Sequence, residues 1–213
     1  DETPDEGFYA DPRFVEHIDA NAVRKLTSFH EAQLARVADK LYGDSTRPLD
    51  ILDVCSSWVS HLPVSYASKR SNVTGIGMNA DELAGNPVLT DAHVQNLNSN
   101  PKLPVADSQF DVALIQLSID YLTQPVAVLK DIGRCLRPKG ELFVSFSNRV
   151  FLTKAVAGWT GKSDEDHIDI VKELVALSGT FEDLPVEVMT VVPARGPSGR
   201  GDDPLFVVTA TRR

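Results

Sequence analysis

The sequence has no glycine between Ser45 and Thr74. A nicotinamide dehydrogenase needs Gly-x-Gly-x-x-Gly directly after its first strand, where backbone approaches a pyrophosphate, so that class is set aside. Cysteine is scarce. Cys55 and Cys135 are the only two, too few for a disulfide framework or a zinc site, and their apolar surroundings read as reduced intracellular thiols. No metal centre is expected. No apolar run approaches the roughly 20 residues that span a bilayer, which leaves peripheral membrane association open. Positive charge is in deficit, with 21 Lys+Arg against 30 Asp+Glu and a net charge of -9. Such a surface repels phosphate backbones and argues against a nucleic-acid partner. The chain starts Asp1-Glu2-Thr3-Pro4 without methionine, which a trimmed chain and a removed targeting segment explain equally.

What is present is ordinary globular material. The 213 residues, 42% hydrophobic and 24% charged, suit one large domain with a real core. Residues 1–12 are acidic and broken by Pro4, Gly7 and Pro12, and read as a surface arm. A single domain then covers 13–213: helices over 13–45, a half carrying the ligand loops over 46–147, and helices with a terminal strand pair over 148–213. Val23, Leu26, Phe29, Leu34, Val37, Ala38 and Leu41 recur at helical spacing between Phe14 and Tyr42, and Gly43 supplies a stop. Strands are expected at 49–54, 73–77, 93–97, 110–117, 141–146, 186–192 and 205–211. Helical stretches are expected at 61–69, from Ala80, at 125–136, around 151–159 and at 166–177. The glycine- and proline-rich segment 193–204 reads as a mobile loop.

Strand and helix alternate through the middle of the chain, which implies parallel strands with helices on both faces. In such sheets ligands sit beyond the carboxyl ends of the strands, where the winding reverses. That rule selects the loops after Asp53, after Gly77 and after Asn96.

Four segments carry a family resemblance: Ile51-Leu52-Asp53-Val54-Cys55-Ser56-Ser57; Val73-Thr74-Gly75-Ile76-Gly77; Leu103-Pro104 with Asp107-Ser108-Gln109-Phe110-Asp111-Val112; and Ile132-Gly133-Arg134-Cys135-Leu136-Arg137-Pro138-Lys139-Gly140-Glu141-Leu142. In that order they resemble class I S-adenosylmethionine-dependent methyltransferases of the type 11 kind. Ser57-Trp58-Val59-Ser60-His61-Leu62-Pro63, Gly77-Met78-Asn79, Asp120-Tyr121-Leu122 and Ser147-Asn148-Arg149 are similar to a narrower methyltransferase-like group of bacteria, algae and plants. The resemblance implies an α/β, Rossmann-like, seven-stranded sheet, mostly parallel with an antiparallel last strand. It also implies S-adenosyl-L-methionine as cofactor, and a chloroplast location (stroma or stromal thylakoid surface), with the cytoplasm as the alternative.

Methyl transfer from a sulfonium needs mainly alignment of donor and nucleophile, so the binding site should be more legible than any acid or base. The resemblance places Asp53, Cys55, Ser56, Ser57, Gly77, Met78, Asn79, Asn96, Leu97 and Gln116 around the cofactor, with loop backbone N–H groups facing it. Trp58, His61, Tyr121 and Asn148 fall toward the substrate, and no catalytic residue is assigned. Each also has a plainer reading: Asp53 as an acceptor within its own loop, Trp58 as packing or a lid, His61 as a structural hydrogen-bonder, Tyr121 and Asn148 as surface or packing. The sequence departs from the family three times. The first loop lacks glycine, Gly77 stands where a ribose-binding acid is expected, and Asn96 replaces a frequent aspartate. Two functions follow: a methyltransferase acting on a small-molecule or protein acceptor, or a catalytically silent fold serving as a binding, assembly or repair subunit of a larger complex.

Overall fold

The computed structural model describes residues 4–68, 71–151, 153–182, 188–191 and 203–213. Seven strands form one sheet: β1 (Ile51–Val54), β2 (Val73–Gly77), β3 (Asp91–Val94), β4 (Phe110–Gln116), β5 (Leu136–Phe146), β6 (Val188–Val191) and β7 (Leu205–Thr211). Their spatial order is β3-β2-β1-β4-β5-β7-β6. β7 pairs antiparallel with both β5 and β6, and the other pairings are parallel. The winding reverses between β1 and β4, which is where a ligand crevice opens in a sheet of this kind.

The helices are α1 (Asp5–Phe8), α2 (Ala20–Tyr42), α3 (Ala80–Gly85), α4 (Pro125–Cys135) and α5 (Asp164–Leu177). β1, β4 and β7 read as mostly apolar runs because both faces are covered, while the edge strand β3 is mostly exposed. Val112 and Leu114 turn to one side, where Leu26, Phe29, Leu34 and Val37 of α2 pack. Ala113 and Ile115 turn to the other, against Val128, Leu129 and Ile132 of α4 and Val171 and Val175 of α5. Arg36 and Lys40 of α2 also reach the buried Glu141 carboxylate of β5 at 2.5 and 2.8 Å.

Several boundaries differ from the sequence reading. α2 begins at Ala20 rather than near Phe14, because Asp19 caps it by accepting from the Asn21 and Ala22 N–H groups. Among its described residues the stretch 61–69 holds only a 3-10 turn, Val64–Ser68; His61 stands in the left-handed region at φ 45°, which a right-handed helix starting there does not accommodate. β3 ends at Val94, three residues early. Residues 151–159 contribute turns among the described residues and no helix. β5 starts at Leu136, with a register shift against β4 and Lys139 in the left-handed region at φ 67°. Residues 193–202 of the expected loop, and 186–187 and 192 of the expected strand, lie outside the described residues.

The arm lies at the surface with most of its described residues exposed. Residues 5–13 cross the carboxyl edge of the sheet, and Asp5 is buried.

Candidate active site

Beyond the carboxyl ends of β1, β2, β3 and β4 lies a cavity of about 110 Å³. Eleven residues singled out in the sequence line it: Asp53, Cys55, Ser56, Ser57, His61, Gly77, Met78, Asn96, Leu97, Gln116 and Tyr121. Three do not. Asn79 caps α3, accepting from the Asp81 and Glu82 N–H groups and donating to the Tyr9 carbonyl at 3.0 Å. Trp58 donates its indole N–H to the Val15 carbonyl at 3.1 Å and packs edge-on against Phe14, so it steadies the chain that leads into α2. Asn148 is exposed and stands off the cavity wall.

The first loop turns without glycine by placing Cys55 in the left-handed region at φ 59°. That conformation costs a non-glycine residue about 1 kcal/mol or more and persists only where its surroundings hold it. Here the Ser56 N–H bonds the Ile76 carbonyl at 2.8 Å, zipping the loop onto β2. Ser56 therefore does not point its N–H into the cavity. Its carbonyl crowds Gly77 so closely that a Cβ there would overlap it. Burial of the Cys55 thiol pushes its pKa up to about 12, which removes it as a nucleophile.

Asp53 is spent on the loop. One oxygen accepts from Ser56 and Ser60, each at 2.6 Å, and the other from the Gln116 amide at 3.2 Å. Burial raises its pKa in spite of those three donors. His61 gives its carbonyl to the buried His30 ring at 3.0 Å. Burial, with His30 nearby, lowers the His61 pKa to about 4, so its imidazole is neutral at pH 7 and too weak for a general base there. Asp120, behind Tyr121, is pushed by burial to about 7. Two acceptor or donor atoms at the cavity wall, Gln116 Oε1 and His61 Nδ1, are buried without a partner among the described residues.

Among the polar groups that the sequence reading missed, two stand out. Glu82, in the first turn of α3, lines the cavity; its carboxylate accepts from the Ser57 hydroxyl at 2.6 Å and from the Arg13 N–H at 2.7 Å. Its signal was the acidic first turn that directly follows the β2 end. Asn98 also lines it, donating to the Asp5 carboxylate and the Tyr121 carbonyl, both at 3.0 Å. The arm adds Asp5, Phe8, Tyr9, Asp11 and Arg13, and His17, Gln95, Ser118 and Phe151 also contribute.

A family model described as a methyltransferase domain matches residues 55–144, from the glycine-free loop through most of β5. The chain has the class I methyltransferase fold. Solved structures agree on that fold at low identity. A possible histamine N-methyltransferase from Thermotoga maritima is 16% identical, with 90% of this chain and 91% of that one covered and a TM-score of 0.55. Phosphoethanolamine N-methyltransferase 2 of Haemonchus contortus, solved with S-adenosyl-L-methionine, is 11% identical over 85% of this chain and 52% of that one, with a TM-score of 0.54. The 4+2 cyclase SpnF is 17% identical, covering 85% and 81%, with a TM-score of 0.56. A methyltransferase fold is thus shared by proteins named for different chemistry, and the site has to decide. A comparison with curated proteins finds no match.

Proposed function

We propose that this protein binds S-adenosylmethionine at the carboxyl edge of the sheet and transfers its methyl group to an acceptor held on the β4–β5 side. The observation that carries the reading is Glu82. A carboxylate lines the cavity next to β2 although Gly77 has none, so the ribose hydroxyls have an acceptor supplied one helical turn later. The unpartnered Gln116 Oε1 suits an ammonium such as the cofactor's amino group, since a buried acceptor left alone costs about 1–3 kcal/mol. Met78 and Leu97 give apolar walls for a base, and the Asn96 side chain stands beside them.

Space sets a condition. Sites for drug-sized ligands run to roughly 300–1,000 Å³, and the cavity holds about 110 Å³ with the arm across it. Occupancy therefore requires the arm to shift outward, which releases Glu82 from the Arg13 N–H and Asn96 from Glu6, now 2.7 and 3.0 Å away respectively.

The bound cofactor supplies an already activated methyl on a sulfonium. The chain's own residues orient and exclude water. Glu82 and Gln116 fix the two ends, and Tyr121 borders the acceptor side.

A second reading, a silent fold that serves as an assembly or repair subunit of a larger complex, draws support from the closed loop. Ser56 spends its N–H on Ile76 and Asp53 is saturated by its own neighbours. The plastid setting belongs to the same resemblance and is proposed with it; a fluorescent fusion of the full-length protein checks it. Melting curves at millimolar S-adenosylmethionine separate the two functions: several degrees of stabilisation supports the enzyme, and an unmoved curve leaves the silent fold.

A further inference from the structure

The arm does more than cover the cavity, because it carries a carboxylate into a prepared position. Asp5 is buried, with one oxygen 2.7 Å from the Lys154 ammonium and the other 3.0 Å from the Asn98 amide. Lys154 is itself only 4% exposed. A buried ammonium is costly unless an anion meets it, so this lysine defines an anion position.

Neither donor is held by the arm alone. Asn98 is fixed by the Tyr121 carbonyl at 3.0 Å and by the Thr123 N–H at 2.8 Å. The Lys154 backbone N–H bonds the Phe151 carbonyl at 2.8 Å, and the next turn is tied to the Asp120 carbonyl through Val156 at 2.9 Å. The seat thus belongs to the loops after β3, β4 and β5. Rings flank it: Phe151 lies with its centroid 6.3 Å from that of Tyr121 and 5.7 Å from that of Phe8. A cationic pocket with aromatic walls, inside a chain of net charge -9, is selective for an anion with an apolar body.

We infer that Lys154 and Asn98 form a carboxylate-binding subsite which Asp5 fills in this structure, and which takes the carboxylate of an aromatic or apolar acid when the arm is displaced. The seat rests on these contacts alone; naming its occupant as the methyl acceptor rests on the methyl-transfer reading above. Burial works against ionisation of Asp5, and the bonds from Lys154 and Asn98 outweigh it and hold its pKa below the ordinary value.

Calorimetric titration of the full chain with phenylacetate, and with neutral 2-phenylethanol as control, tests the seat. Asp5→Asn is expected to bind phenylacetate about tenfold or more tightly than the unaltered chain, because an internal competitor is weakened. Adding Lys154→Met to Asp5→Asn removes the gain, and 2-phenylethanol responds to neither change. Phe8→Ala loosens the arm while leaving Lys154, Asn98, Tyr121 and Phe151 in place, and shifts phenylacetate affinity the same way, which keeps the test open should Asp5→Asn not fold. Equal phenylacetate affinity in the unaltered, Asp5→Asn and Phe8→Ala chains overturns the seat, and so does a gain that survives Lys154→Met. A gain for S-adenosylhomocysteine but not for phenylacetate gives the seat to the cofactor's own carboxylate and overturns the acceptor assignment. A phenylacetate gain in a chain that binds no S-adenosylhomocysteine upholds the seat and removes the methyl-transfer reading.

Discussion

The Ser56 carbonyl oxygen occupies the space that a side chain at Gly77 would need. Two of the family departures are therefore one. A loop that turns through Cys55 and bonds back to Ile76 leaves room at the end of β2 for hydrogen alone, and an acid at 77 has no place to stand.

Restoring the family residue should accordingly fail. Gly77→Asp and Gly77→Ala are both expected to destabilise the fold by about 2–4 kcal/mol, the cost of forcing bulk into a packed position. Urea unfolding measures it. Equal stability of Gly77→Ala and the unaltered chain contradicts the coupling.

Asp120 carries a burial penalty with a definite pH sign. Its folded pKa lies near 7 against the ordinary 3.8, so the unfolded chain ionises first and stability falls as pH rises through that interval. Asp120→Asn keeps the shape of the neutral acid, and is expected to raise stability by about 2 kcal/mol at pH 8 and to change it little at pH 4. Denaturant curves at the two pH values give the comparison; a variant less stable at pH 8 refutes the assignment.

His30 acts with the opposite sign. Burial lowers its folded pKa from 6.5 to about 4, so the unfolded chain takes up the proton first and stability declines as pH drops from 6.5 toward 4. The loss reaches up to about 3 kcal/mol. His30→Gln retains a donor for the His61 carbonyl and should remove most of that decline between pH 7 and pH 4.5. An unchanged slope in the variant would show that His30 is not the group responsible.

The sheet was legible because its strands obey the simplest rule available. Phe110 to Gln116 and Leu205 to Thr211 are apolar runs covered on both faces, and both were located within a residue. Residues 151–159 misled: Phe151, Ala155 and Trp159 repeat at helical spacing, yet that chain is held by turns and by the bond from Val156 to Asp120. In the site, the loop and strand-end residues line the cavity because topology alone puts them there. Trp58 and Asn79 stand elsewhere because their partners, Val15 and Tyr9, are set by the path of residues 5–17, and Asn148 is exposed. That path carries no periodicity. It depends on single long-range bonds such as Asp5 to Lys154, which no local pattern announces.

The central claim is that Glu82 has taken over the ribose contact that Gly77 cannot make. Calorimetric titration of S-adenosylhomocysteine into the unaltered chain and into Glu82→Gln tests it most directly. Micromolar binding, weakened about tenfold or more by the substitution, is the expected result, since a charge-assisted bond to a hydroxyl is worth about 1.5–3 kcal/mol. Equal affinity in the two chains, or no heat from either at millimolar ligand, would contradict it.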